Sequence, residues 1–181
     1  MSVARIGVLT VSDRAASGQY EDRGGPAVRD FLGSSIVSDH EFVSRVVPDE
    51  FDRIAEAIKD LVDAEGCCVV VTTGGTGPAP RDVTPEAIMS VCERMIPGFG
   101  EAMRAASMAV IPTAILSRQC AGTRGRSLVI ALPGSPTAIA DCLGAVIAAV
   151  PDCVDLLHGP RLEMHPRIGA YRPPDSTPRH Q

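Results

Sequence analysis

Residues 67–87 carry an apolar run, a glycine turn and a helix start in direct succession, and this unit narrows the possible folds more than any other part of the chain. Cys67 to Val71 are apolar and partly β-branched, as a strand buried on both faces requires. In the turn Thr73-Gly74-Gly75-Thr76-Gly77 the three glycines lack Cβ, so the backbone can take positive φ and present N–H groups at close range. Thr84 can cap the next helix, with Pro85 at its first position and Glu86 in its first turn. A strand, a glycine turn and a helix N-terminus in that order make an anion seat. Arg81 and Asp82, placed between turn and cap, favour that reading over a plain connector.

The same alternation recurs along the chain. Arg5 to Val11 reads as a first buried strand, followed by a polar loop from Ser12 to Gly25 and a helix opened by Pro26 through about Leu32. Phe42 to Val47 is a second strand. Phe51, Ile54, Ile58, Leu61 and Val62 share one helical face, with Asp49 at the N-cap or one residue from it and Gly66 as the stop. The third strand begins at Cys67, and a helix covers Pro85 to Arg94. Pro97-Gly98 breaks the chain before a helix starting at Gly100. Thr113 to Arg118 is expected as a short strand, Ser127 to Leu132 as a clear one. Thr137 to about Leu157 is an Ala-rich helical region divided at Pro151. Such alternation predicts an α/β fold: three layers, a mostly parallel sheet and helices on both faces. A single domain over residues 1–160 is expected, with 161–181 an irregular Pro-rich tail ending in disorder.

Composition excludes several function classes. The chain has 181 residues, enough to bury a real core in one domain. With aromatics at 3% and no Trp, stacking platforms for single-stranded nucleic acid are not expected, and a net charge of −5 argues against a phosphate-backbone binder. Of the 17 basic residues only Lys59 is a lysine, and arginine holds phosphates through a planar fork. Cysteines at 67, 68, 92, 120, 142 and 153 form no Cys-x-x-Cys and sit mostly in apolar runs, as small buried hydrophobes do. No signal-peptide layout opens the chain, and charges interrupt each apolar stretch, so no membrane span is expected and a cytoplasmic location is.

In open α/β sheets ligands bind beyond the strand carboxyl ends. Ser12-Asp13-Arg14, Asp49, the segment from Gly74 to Asp82, and Pro133-Gly134-Ser135 each directly follow a predicted strand, so these polar loops should meet at one edge. Two carboxylates, Asp49 and Asp82, beside an anion-binding turn would repel a phosphate unless a cation lay between them. Mg2+ suits that place, since it takes one or two protein carboxylates plus phosphate oxygens. The constellation points to Mg2+-assisted phosphoryl or nucleotidyl transfer. The turn is neither a P-loop nor a dinucleotide fingerprint, because no Gly-Lys-Ser/Thr follows and the glycine spacing differs. The histidines (40, 158, 165 and 180) fall outside the predicted site loops, which disfavours histidine general-base catalysis.

Several long segments, in order, resemble the Mog family of molybdopterin adenylyltransferases, related to the G domains of gephyrin and its plant counterpart. They include Leu9-Thr10-Val11-Ser12-Asp13-Arg14-Ala15, Tyr20-Glu21-Asp22-Arg23-Gly24, Pro48-Asp49-Glu50, Thr72 to Ala87, Pro97 to Arg104, Pro112 to Arg118, Leu132 to Pro136 and Leu156 to Pro160. The resemblance implies a homotrimer that adenylylates molybdopterin with ATP and Mg2+, releases pyrophosphate, and feeds a molybdenum insertase downstream. It implies catalysis and metal binding by Asp49 and Asp82. Substrate binding is implied for Ser12, Asp13, Arg14, Thr73, Gly74, Gly75, Thr76, Gly77, Pro133, Gly134 and Ser135, and, by motif position, Glu101, Arg104, Ser107 and Arg118. Many relatives have lysine where this chain has Thr137, so a cation facing the anionic pterin is missing. The competing readings are an insertase, which carries a related domain within a longer chain, and a pterin-binding scaffold without catalysis. Both Asp49 and Asp82 are present, which speaks against the scaffold.

Overall fold

The computed structural model describes residues 3–173. In chain order the elements are β1 (Ala4–Val11), α1 (Asp13–Ala16), α2 (Gly24–Ser35), β2 (His40–Val47), α3 (Phe51–Lys59), β3 (Val69–Thr73), α4 (Thr84–Val91), β4 (Arg94–Met95), α5 (Pro97–Met108), β5 (Ala121–Arg124), β6 (Ser127–Leu132), α6 (Pro136–Val146) and α7 (Val150–Leu156). They form one sheet ordered β2-β1-β3-β6-β5-β4. The pairs β1–β2, β1–β3 and β3–β6 are parallel, while β5 runs antiparallel to both β6 and β4.

The central strands read as apolar runs because both faces are covered. Alternate residues fall into two cores: Ile6, Val8, Val69, Val71, Leu128, Ile130 and Leu132 face α2, α5, α6 and α7, whereas Leu9, Val11, Val70, Val129 and Ala131 face α3 and α4. This period of two is the pleat itself, and it yields the expected three layers. Residues beyond 160 also join the packed unit. Leu162 is fully buried, Met164 bridges to Ile36, and Arg172 pairs with Asp155 while donating to the Leu162 carbonyl. The tail end at 174–181, where disorder was expected, lies outside the described residues.

Several sequence expectations are corrected. Thr113–Arg118 is not a strand: Pro112–Leu116 forms a 3-10 turn with Ile115 and Leu116 exposed. Pro112 presets φ and brings no N–H to a ladder. The sheet edge is occupied instead by β5 and β4, and β4 takes Arg94, so α4 stops at Val91 rather than Arg94. The second helix begins at Gly24, ahead of Pro26, because Asp22 Oδ1 accepts from the Gly25 amide at 3.0 Å and anchors its first turn. α5 begins at Pro97 rather than Gly100, with the proline in its first turn. α3 ends at Lys59 and passes through one π turn, Asp60–Ala64, before Gly66 reverses the chain at φ +69°. The helical stretch breaks at 147–149, just before Pro151. That stretch, Pro136–Leu156, is also long and apolar enough for a membrane span by length and composition, with 21 residues and a mean hydropathy of 1.6. In the fold Ile139, Leu143, Val146, Val150 and Val154 are instead buried in the core.

Candidate active site

Because β2, β1, β3 and β6 are parallel neighbours, their carboxyl ends share one edge. The loops leaving that edge are stitched together. The Ser12 amide donates to the Val47 carbonyl at 2.9 Å, the Gly74 amide to Leu132 at 3.2 Å, and Thr73 Oγ1 to the Pro133 carbonyl at 2.8 Å. The expected convergence of Ser12–Arg14, Asp49, Gly74–Asp82 and Pro133–Ser135 is therefore present.

The glycine turn needs its glycines for reasons internal to the protein. Gly74 and Gly75 have φ +104° and +62°, where side chains are strained. A Cβ on Gly74 would lie 2.2 Å from the Val11 carbonyl oxygen, and one on Gly75 would lie 2.5 Å from Thr84 Oγ1 and 3.1 Å from Asp49 Oδ1. Thr84 does not cap α4 as expected. It is the first helical residue, Val83 holds the cap position without a side-chain bond, and Thr84 Oγ1 donates to the Gly74 carbonyl at 2.9 Å.

Both aspartates are held in the same way. Asp49 sits one residue before the N-cap, Glu50, and its Oδ2 accepts from the Asp13 amide at 2.8 Å. Asp82 Oδ2 accepts from the Ala79 amide at 3.0 Å. Among the described residues the second oxygen of each carboxylate accepts no hydrogen bond. Asp49 Oδ1 faces Gly75, and Asp82 Oδ2 lies 2.7 Å from where a Gly77 Cβ would stand. Burial pushes the Asp49 carboxyl above its usual range and the charges of Asp13 and Asp82 add to this, while the Asp13 amide and Arg81 oppose it. Asp13 is held below its usual range by the Arg81 guanidinium and the Asp49 amide.

The other expected site residues divide by position. Ser12, Arg14, Thr73, Gly74 and Gly134 line a cavity of about 390 Å³. Ser12 Oγ also accepts from the Ala15 amide to cap α1. Across the Pro133–Pro136 loop, Ser107, Gln119, Pro133 and Thr137 line a second cavity of about 190 Å³, with Ser107 Oγ against Cys142 Sγ at 3.2 Å. Ser135 Oγ lies 3.0 Å from Thr137 Oγ1. Arg118 lies beneath the turn: its guanidinium reaches the Gly77 and Asp82 carbonyls and Glu86, and its amide donates to the Thr76 carbonyl, so it shapes the turn from behind. Thr76 is buried, with its hydroxyl 3.5 Å from Ser117 Oγ. Arg104 donates to the Gln119 carbonyl at 2.8 Å, and Glu101 is exposed on α5 and lines neither cavity.

Sequence reasoning missed Tyr20, Asp22 and Arg23 among the residues that line the first cavity. Tyr20 lies beneath the Arg14 and Arg23 guanidinium groups, 5.0 and 5.7 Å from its ring centre. Asp22 accepts from Thr10 Oγ1 at 2.8 Å while anchoring α2. An aspartate two residues before the glycine that starts a helix can reach a first-turn amide, as Asp22 reaches that of Gly25, and this pattern could have flagged Asp22.

The sequence and the fold both have counterparts among known proteins. Residues 7–152 match the family described as "Probable molybdopterin binding domain". The chain is 49% identical over 174 residues to the molybdopterin adenylyltransferase of Helicobacter pylori, covering 96% of this chain and 99% of that protein. It is 44% identical to the Escherichia coli protein of the same name, covering 96% of this chain and 95% of that one. Its fold superposes on the molybdopterin biosynthesis enzyme MoaB of Thermus thermophilus with a TM-score of 0.81 at 38% identity, covering 89% of this chain and all of that structure, 100%. With most of its length matched and its strand-end loops in the expected place, the chain belongs to the molybdopterin-binding domain family.

Proposed function

We propose that this protein is a molybdopterin adenylyltransferase of molybdenum cofactor biosynthesis, transferring AMP from ATP to the terminal phosphate of molybdopterin with release of pyrophosphate. One observation carries the reading. Two aspartates from different loops are each fixed by one oxygen to a backbone amide, with the carboxylate of each beside a three-glycine turn: the unbonded Oδ1 of Asp49 at Gly75 and the bonded Oδ2 of Asp82 at Gly77. In the reaction a phosphate oxygen of the pterin attacks the α-phosphorus of ATP, and the bond to the β-phosphate breaks. Its demands are orientation of two anionic partners and relief of charge on the departing pyrophosphate. The two cavities flanking the Pro133–Pro136 loop suit a two-substrate reaction, and Arg14 and Arg23, held over Tyr20, supply positive charge at the rim of one.

The donor set fits Mg2+, which prefers hard oxygen ligands and needs few from the protein. Asp49 and Asp82 would hold it, and it would offset charge on the phosphate oxygens. The turn amides and the Arg-lined rim would bind and orient the phosphates. We further propose a homotrimer, acting in the cytoplasm upstream of a molybdenum insertase. The supporting apolar surface is not the Pro136–Leu156 stretch, whose large apolar residues other than Leu156 are buried. It is the exposed cluster of Met108, Val110, Ile111, Ile115 and Leu116 at 42%, 65%, 50%, 63% and 55% exposure. The test is pyrophosphate release from ATP and Mg2+ with and without molybdopterin. Pterin-dependent release is expected. Release that is absent or indifferent to the pterin would refute the assignment, as a binding scaffold releases none.

A further inference from the structure

Asp13, expected from sequence as a substrate contact, has its carboxylate taken by the protein. Arg81 grips it with two parallel bonds, Nε to Oδ2 at 3.0 Å and Nη2 to Oδ1 at 2.9 Å. Asp13 and Asp49 also exchange a reciprocal pair: the Asp13 amide donates to Asp49 Oδ2 at 2.8 Å, and the Asp49 amide donates to Asp13 Oδ1 at 3.0 Å. These residues lie just beyond the ends of three different strands, β1, β2 and β3, with Asp13 opening α1, so the couple fixes one connection relative to the next. Two carboxylates so close repel each other, and the fork of Arg81 is the cation that offsets this. The result is an Asp49 whose backbone amide and Oδ2 are both fixed, leaving Oδ1 facing the Gly75 turn.

We propose that Arg81 is a positioning residue for adenylyl transfer, acting through Asp13 to hold Asp49 Oδ1 in its working direction. The inference rests on the adenylyltransferase reading for its kinetic effect and on the geometry alone for the coupling. The Arg81 side chain is 59% exposed, so shortening it opens no core cavity and Arg81→Gln should fold.

The experiment pairs kinetics with amide hydrogen exchange on the full-length protein. In Arg81→Gln the turnover number should fall about tenfold, the factor for one lost charge-assisted contact, while KM for ATP and for molybdopterin stays near the wild-type value. Exchange at the Asp49 amide should quicken roughly five- to tenfold, as for one lost hydrogen bond, with the core amides of Val70 and Val129 unchanged. Asp13→Asn should reproduce the turnover loss, and the double variant should be no worse than either single one. Arg81→Lys, which keeps one charged contact, should recover part of the turnover. A raised KM for ATP with turnover intact, multiplicative losses in the double variant, or unchanged Asp49 exchange would each overturn the proposal. Absence of pyrophosphate release by the wild-type protein would sink the functional reading instead, and the exchange measurement would still decide the coupling.

Discussion

Replacing Gly75 by alanine should damage both stability and turnover, and the structure sets the size of the effect. At φ +62° an alanine costs about 1–2 kcal/mol from the left-handed backbone alone. Its Cβ would also stand 2.5 Å from Thr84 Oγ1, which must then leave the Gly74 carbonyl and forfeit a net ~1 kcal/mol. A total of about 2–3 kcal/mol follows. The second encounter, 3.1 Å from Asp49 Oδ1, pushes on a proposed catalytic oxygen, so turnover should fall by about an order of magnitude or more. Gly134 is the control. A Cβ there meets only the Gly74 backbone at an ordinary 3.6 Å, and its φ is not positive. Gly134→Ala should therefore keep the wild-type unfolding midpoint or raise it slightly, and act through KM for the pterin. Urea unfolding of both variants, with ATP and molybdopterin titrated separately, measures the contrast. Equal midpoints and equal turnover for Gly75→Ala and wild type would refute the argument from backbone and packing.

Asp49 is pushed up by burial and by neighbouring carboxylates, so its folded-state contribution to stability is present at acid pH and lost as pH rises through its elevated pKa. Asp49→Asn should accordingly raise the unfolding midpoint at neutral pH while removing turnover, and a lowered midpoint at neutral pH would contradict the sign. Arg172→Ala should lose about 2 kcal/mol in urea titrations without changing turnover, because it breaks the largely buried pair with Asp155 and the bond to the Leu162 carbonyl. Ile115→Asp should reduce the assembly seen by light scattering, and a wild-type mass of 19.0 kDa at micromolar concentration would remove the trimer altogether.

The central strands could be read from sequence because a strand covered on both faces is an apolar run, and Ser127–Leu132 was expected with the boundaries it has. Edge structure could not. Ala121–Arg124 is short and carries Gly122, chosen for space: a Cβ there would lie 2.9 Å from the Arg94 carbonyl oxygen. Its local sequence has little strand character, whereas Ile115 and Leu116, which do, are exposed beyond Pro112. The site loops were legible because parallel topology sends strand ends to one edge. What pairs within that edge was not. The Arg81–Asp13 fork spans 68 positions, and Arg118 was placed in the pocket by motif position when its bonds run beneath the turn. Threonine before Pro85 favours a cap, yet the Gly74 carbonyl captures the Thr84 hydroxyl.

The most direct measurement is transfer of label from α-phosphate-labelled ATP onto molybdopterin by wild type and Asp82→Asn, alongside pterin binding by each. Asn keeps the volume and an oxygen that can accept from the Ala79 amide, so the loop should persist while the charge is lost. The account predicts labelled, adenylylated pterin from wild type and none above background from Asp82→Asn at near-normal pterin affinity. Near-normal labelling by Asp82→Asn would contradict the claim that this loop edge performs adenylyl transfer through its paired aspartates.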